Sequence, residues 1–426
     1  MKSLNNFLVK KENTNTIISL GLQVLPILIA LIYIPVNLNY LGASLWGVYN
    51  LSISMLFMTM YVNFGIGPAV NRIIAQNRSL RLQIKLVHSG LFLNLLLVFV
   101  IVPTLLFLND YIISYSISES LISSGEKEIS NLFFWTSLSS GVYILISYFR
   151  NIHEGKQNFL LVSILRSLIS SLLIVSPLFF STDEISNAGF LIFIILTLFL
   201  LLYFFLFTRE YFIFSLKKVS KNIMRILLKD GSLITIHSFV NPVFIFFDRF
   251  IIGNILGTVS VGIYTSIYDV VSRMIIVPSS ISNAYFPAIS NNYKSIKLSS
   301  KILFNGLKFN LIVSLIALII LVTYGNWLLE MWLGIEVEFK FLIPILSLAY
   351  FVKGFNLIFL KYYQAIAKFK YTNLLNYSLA FIYFPLIFLS IKLYNITGAA
   401  LILLLKNVLE IMINFYYLKI IKLKNL

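Results

Sequence analysis

LGTVSVGIY, residues 256–264, repeats the pattern of LGASLWGVY, residues 41–49; both read L-G-x-x-x-x-G-[V/I]-Y. Each copy sits between two apolar runs long enough to cross a hydrocarbon core of about 30 Å as a helix. A pattern recurring at the same place in two halves of a chain indicates duplication. Two weaker correspondences keep the same order. Pro68-Ala69 answers Pro287-Ala288, and HEGKQNF (153–159) answers AIAKFKY (365–371).

Moving outward from the two copies, apolar runs occupy the whole chain. Of 426 residues 59% are hydrophobic and 12% charged, about half the charge of a soluble protein of this length. The spacing predicts twelve spans, near 15–37, 46–70, 86–108, 131–149, 159–180, 189–208, 232–255, 261–286, 304–327, 340–360, 372–392 and 397–417. The first run lacks a small-residue cleavage site and reads as a retained helix. The expected fold is therefore an all-α polytopic membrane protein with two six-helix lobes, 1–208 and 231–426, arranged as parallel repeats. Between them, 209–230 puts Leu216, Val219, Ile223, Ile226 and Leu227 on one helical face and Lys217, Lys218, Lys221 and Arg225 on the other. That pattern predicts a helix lying on the cytoplasmic surface.

The net charge of +17 reports topology and not nucleic acid. With both termini cytoplasmic, the inner segments carry 25 Lys and Arg, whereas the outer loops carry only Lys127, Lys340 and Lys392. The basic segments also suit contact with anionic membrane lipids. There are no cysteines, and the three histidines lack metal-ligand spacing, so no cofactor or metal is expected. No outer loop is large enough for the glycan chemistry of a membrane polymerase, and an enzyme is not expected.

NTIISLGLQVLPILIALIYIPVNLNYLGASLWGVY (15–49) and FDRFIIGNILGTVSVGIY (247–264) resemble the Wzx-type polysaccharide flippases. These belong to the multidrug/oligosaccharidyl-lipid/polysaccharide exporter superfamily, which also holds toxin extruders and lipid II flippases. The resemblance implies two lobes around a central cavity. It further implies movement of a polyprenyl-diphosphate-linked oligosaccharide from the inner to the outer leaflet of the bacterial inner membrane, as in O-antigen or capsule synthesis. A coupling cation (proton or sodium) and a polysaccharide polymerase partner fit the same reading. The alternatives are an ion-coupled drug or toxin extruder of the same superfamily, disfavoured because such a cavity would be acidic, and a membrane polysaccharide polymerase, disfavoured by the short outer loops.

Eight charges fall inside spans: Arg166, Asp248, Arg249, Asp269, Arg273, Lys353, Lys406 and Glu410. Each costs about 2.5–3.5 kcal/mol at a helix centre, so each should face protein or a wet cavity. Counting back from the turn at 256–260, Asp248 lies about 12 Å deep and Asp269 about 14 Å. Asn241, seven residues before Asp248, shares its face. Asp269–Arg273 and Lys406–Glu410 are spaced i,i+4 and can pair along their helices. Two readings compete. In one, the charges are ion pairs that position helices, with Arg166 snorkelling to the surface. Alternatively Arg249, Arg273, Lys353, Lys406 and Arg166 bind a diphosphate, while Asp248, Asp269, Glu410 and Asn241 balance charge or hold the coupling ion.

Overall fold

The computed structural model describes residues 2–59, 65–76, 79–117, 119–180, 184–211, 214–291, 295–334, 340–366 and 368–423. Its description of side chains omits 2–21, 23, 119–124, 210, 230–243, 284, 287–288, 291, 369–370, 373 and 422–423. The described residues are helical nearly throughout. The α-helices are α1 (Lys2–Thr59), α2 (Ile66–Gln76), α3 (Leu80–Ser116), α4 (Glu119–Gly155), α5 (Phe159–Val175), α6 (Ile185–Tyr211), α7 (Lys221–Leu256), α8 (Thr258–Val271), α9 (Ile276–Asn291), α10 (Ile296–Leu333), α11 (Leu342–Ala365) and α12 (Phe369–Leu423).

Two of these helices conceal a reversal of the chain. In α1 the break is Gly42, at φ +73°. Asn37 and Tyr49 lie on either side of it, and an unbroken helix would set them about 18 Å apart. Yet Asn37 Nδ2 donates to Ile174 O at 2.8 Å while the Tyr49 hydroxyl donates to the adjoining Leu173 O. In α12 the break is at Tyr394 and Asn395, the latter at φ +54°. Ser390 Oγ there donates to Gly398 O at 3.0 Å, a contact only a hairpin allows. Nine helical stretches among the described residues are long and apolar enough to cross a membrane, and Val24–Thr59 and Leu374–Ile421 each hold one of these reversals. With α7, twelve crossings result.

The surface confirms the solvent. Phe107 is 86% exposed and Phe381 83% exposed, while Asn50, Ser52, Asn94 and Ser137 are buried. Apolar rings outside and small polar residues inside are the arrangement lipid imposes, because interior polar groups can bond between helices.

The repeated motif now has a conformational basis. Gly42 and Gly257 take φ +73° and +82°, a region that L side chains rarely adopt, so both copies need glycine to turn between spans. Its closing tyrosines, Tyr49 and Tyr264, are both buried. A second correspondence appears at the other ends of the spans. Lys156 N bonds Ile152 O and Asn158 N bonds His153 O; Ile366 N bonds Tyr362 O and Lys368 N bonds Tyr363 O. The two turns superpose with a shift of 210 residues (152 to 362, 153 to 363), and α5 and α12 begin at the same shift, Phe159 and Phe369.

The chain forms two compact units, Met1–Phe250 with Gly257–Val259, and Ile251–Leu256 with Ser260–Leu426. In the first, α4 packs on α6 through Trp135 against Phe190 and Phe149 against Phe207, and the Tyr148 hydroxyl donates to Val87 O on α3. In the second, α11 is bonded to the last span of α12 by a zigzag of asparagines. Asn407 Nδ2 donates to Ala349 O and Asn356 Nδ2 to Asn407 O. Asn414 Nδ2 then donates to Asn356 Oδ1, and the Tyr363 hydroxyl to Asn414 O.

One expectation is corrected here. The described residues of 209–230 do not form one continuous helix. Helix α6 runs to Tyr211, a 3-10 turn covers Leu216–Lys218, and α7 starts at Lys221. Ser215 and Val219 are extended, which breaks the register that would align the apolar face. Ser220 O accepts from Met224 N, so Ser220 starts α7 as a serine at a helix N-terminus does. Leu216 is left 66% exposed while Leu227 is buried.

The order of crossings makes a labelling prediction. Glu184 precedes α6 and Lys217 follows it, and both are exposed. Cysteines placed at each are expected to react with a membrane-impermeant thiol reagent from opposite sides, position 184 alone in intact cells. Labelling of both from one side would break the twelve-span count.

Candidate functional site

The membrane-embedded charges occupy unlike surroundings. Asp248 and Arg249 lie on α7 and are 1% and 4% exposed. Although adjacent, they do not form an ion pair, because neighbouring side chains on a helix diverge by about 100°. Asp248 Oδ1 instead accepts from the backbone N–H of Arg249 at 2.8 Å. Arg249 Nη1 donates to Ser54 Oγ at 3.0 Å, and Ser54 Oγ donates onward to Asn50 O at 2.6 Å. The guanidinium carbon is 5.3 Å from the centre of the Phe246 ring, which stacks on Phe57. Arg249 thus rests in a small polar patch on the second span. Asn241 lies outside the residues whose side chains are described.

In the second unit, Lys406 and Glu410 form the predicted i,i+4 pair, at 2.6 Å, with side chains 11% and 13% exposed. Lys406 Nζ also reaches Asn407 Oδ1 at 3.4 Å, which ties the pair to the asparagine zigzag. Asp269 and Arg273 are not brought together. The eighth span tightens to 3-10 geometry over Ser272–Ile275, rotating Arg273 away from the register in which i and i+4 coincide. Lys353 Nζ stands 4.8 Å over the Tyr350 ring. Tyr350 meets Tyr268 edge-on, and Tyr268 packs on Tyr264, so a row of buried tyrosines ends at a cation.

Arg166 on α5 is exposed and borders a cleft with Tyr143, Ile146, Arg150, Ile169 and Tyr203. Arg150 falls one residue beyond the predicted span 131–149. It lies within α4, 3.7 Å from Glu154, which Asn71 Nδ2 also approaches at 3.3 Å. Neither this cluster nor the asparagine zigzag was anticipated. The zigzag had a readable signal, since Ala349, Asn356 and Tyr363 follow a spacing of seven and so do Asn407 and Asn414.

Residues 13–293 match the polysaccharide biosynthesis protein family. The chain belongs to that family. It is also 25% identical, over 91% of its length and 93% of the relative's, to a provisionally named O-antigen transporter of Shigella flexneri. Among solved structures it resembles an inward-facing multidrug resistance MATE family transporter of the MOP superfamily. That match has a TM-score of 0.78 at 15% identity, covering 95% of this chain and 97% of the other. The lipid II flippase MurJ matches with a TM-score of 0.77 at 15% identity, covering 96% and 87%. The fold of this family member is that of the MOP superfamily transporters.

Proposed function

We propose that the protein flips a polyprenyl-diphosphate-linked oligosaccharide from the inner to the outer leaflet of the bacterial inner membrane, supplying a surface polysaccharide. The observation that carries this reading is the Shigella flexneri relative, matched along nearly the whole of both chains. The chemistry of the spans supports it. A diphosphate crossing hydrocarbon needs cations along its path, and Arg249 and Lys353 are cations set well inside their helices. Arg249 donates to a neutral serine hydroxyl; a phosphate would instead offer two anionic oxygens to the guanidinium fork. Lys353 and Arg273 would take further phosphate oxygens, and Asp248 and Asp269 would balance charge or bind the coupling cation.

Arg249→Leu is expected to lower surface polysaccharide about tenfold or more at matched protein level, since a hydrogen bond to a charged group is worth about 1.5–3 kcal/mol. Carrier-linked oligosaccharide should accumulate on the cytoplasmic side. Arg249→Lys should recover only part of the loss, because an ammonium lacks the planar fork. Full surface polysaccharide in both Arg249→Leu and Lys353→Leu would refute the proposed path.

A further inference from the structure

The cleft bordered by Arg150 and Arg166 is absorbed by neither the fold nor the proposed path. It is shallow, about 10 Å³, and opens outward between α4, α5 and α6. Arg150 lies five residues before the end of α4 and Arg166 seven residues after the start of α5. Both are thus about 8–10 Å along their helices from the turn at 156–158. Tyr203 and Tyr143 continue the lining deeper, with Ile146 and Ile169 as its apolar part. Charge does not balance there. Glu154 is engaged by Arg150 and Asn71, and Arg166 makes no ion pair among the described residues.

The duplication supplies an internal control. Under the shift of 210 residues, Arg150 corresponds to Leu360, Glu154 to Gln364 and Arg166 to Asn376. The second unit builds the same turn and the same helix pair without these charges, so the packing of the hairpin does not require them. The same register sets Lys353 against Tyr143.

We propose that this cleft binds the phosphate of an anionic phospholipid headgroup in the inner leaflet, with Arg150 and Arg166 as its cations and the tyrosine hydroxyls as further donors. Guanidinium pairs with phosphate oxygens in a planar, two-bond arrangement. The depth of both arginines matches the boundary between headgroups and hydrocarbon, where long basic side chains rest with aliphatic stems in the apolar layer. The inference goes beyond the transport reading and does not depend on it.

The test is the thermal unfolding midpoint of the purified full-length protein in detergent, with phosphatidylglycerol, phosphatidylcholine or inorganic phosphate added. Phosphatidylglycerol is expected to raise the midpoint by roughly 2–4 °C or more, the size of shift that saturating a specific site gives. Phosphatidylcholine and inorganic phosphate should leave it unmoved. Arg166→Gln should abolish the shift, Arg166→Lys should keep part of it, and Asn376→Gln in the corresponding place should leave it whole. Arg166 is exposed and outside any ion pair among the described residues, so its replacement leaves the fold intact, which elution as a single peak verifies. An equal shift with inorganic phosphate would overturn the lipid source. No shift, or a shift that survives Arg166→Gln, would overturn the site itself.

Discussion

Replacing Glu410 with leucine is expected to remove more folded protein from the membrane than replacing Lys406 and Glu410 together. The two side chains meet at 2.6 Å and are almost wholly enclosed. Taking away one leaves the other charged with only neutral partners such as Asn407, where its loss of solvation is no longer offset. Breaking a buried pair this way costs about 3–5 kcal/mol, whereas apolar replacement of both partners is often neutral. The single variant should fall to a small fraction of the wild-type level by fluorescence-detected size exclusion, and the double variant should return near it. Surface polysaccharide in the double variant then decides the role of Lys406. Normal display would mark the pair as structural, and lost display at normal protein level would place Lys406 on the substrate path. Equal protein in the single and double variants would contradict the energetic argument.

The second large effect is expected at Gly398. A Cβ built there would stand 2.1 Å from Ser390 O and 2.4 Å from Ser390 C, and backbone atoms cannot swing aside as a side-chain tip can. Gly398→Val must open the hairpin between the last two spans and break the Ser390–Gly398 bond. Overpacking costs about 1–3 kcal/mol where side chains can adjust, and this contact lies at or above that upper end. The unfolding midpoint should drop by several degrees, or the protein should fail to accumulate. Gly306→Ala is the comparison. Its added Cβ meets nothing closer than 3.5 Å, and alanine favours a helix over glycine, so its midpoint should hold or rise.

The features legible in the sequence are those that depend on composition and period. Long apolar runs give the spans, and the paired L-G-x-x-x-x-G-[V/I]-Y turns locate the duplication, because a left-handed backbone leaves glycine as the practical choice. The charged positions were equally visible, since charge in a hydrocarbon-length run is rare. Partnership was harder to read. Lys406 and Glu410 meet because their helix keeps 3.6 residues per turn between them. Asp269 and Arg273 carry the same spacing and miss, because the helix tightens to 3-10 geometry from Ser272, just before Arg273, and no residue type there announces the tighter winding. Asp248 and Arg249 show the opposite error: adjacency in the chain suggested a pair, but helix geometry turned the arginine toward Ser54. Arg150 falls outside the predicted span 131–149 because the helix continues past its apolar run to Gly155.

The asparagine zigzag has a mechanical consequence. Its bonds use positions seven residues apart on α11 and seven apart on the last span. A slip of one residue between these helices would therefore break every rung at once and meet no new set until a full heptad had passed. Such a pair does not creep; it is splinted, and it transmits a push at one end to the other with little loss. Any bending the second unit undergoes must then be taken up elsewhere within it. The eighth span, already wound tight at Ser272–Ile275, is the place where its helical ladder is interrupted and a hinge is cheapest to work.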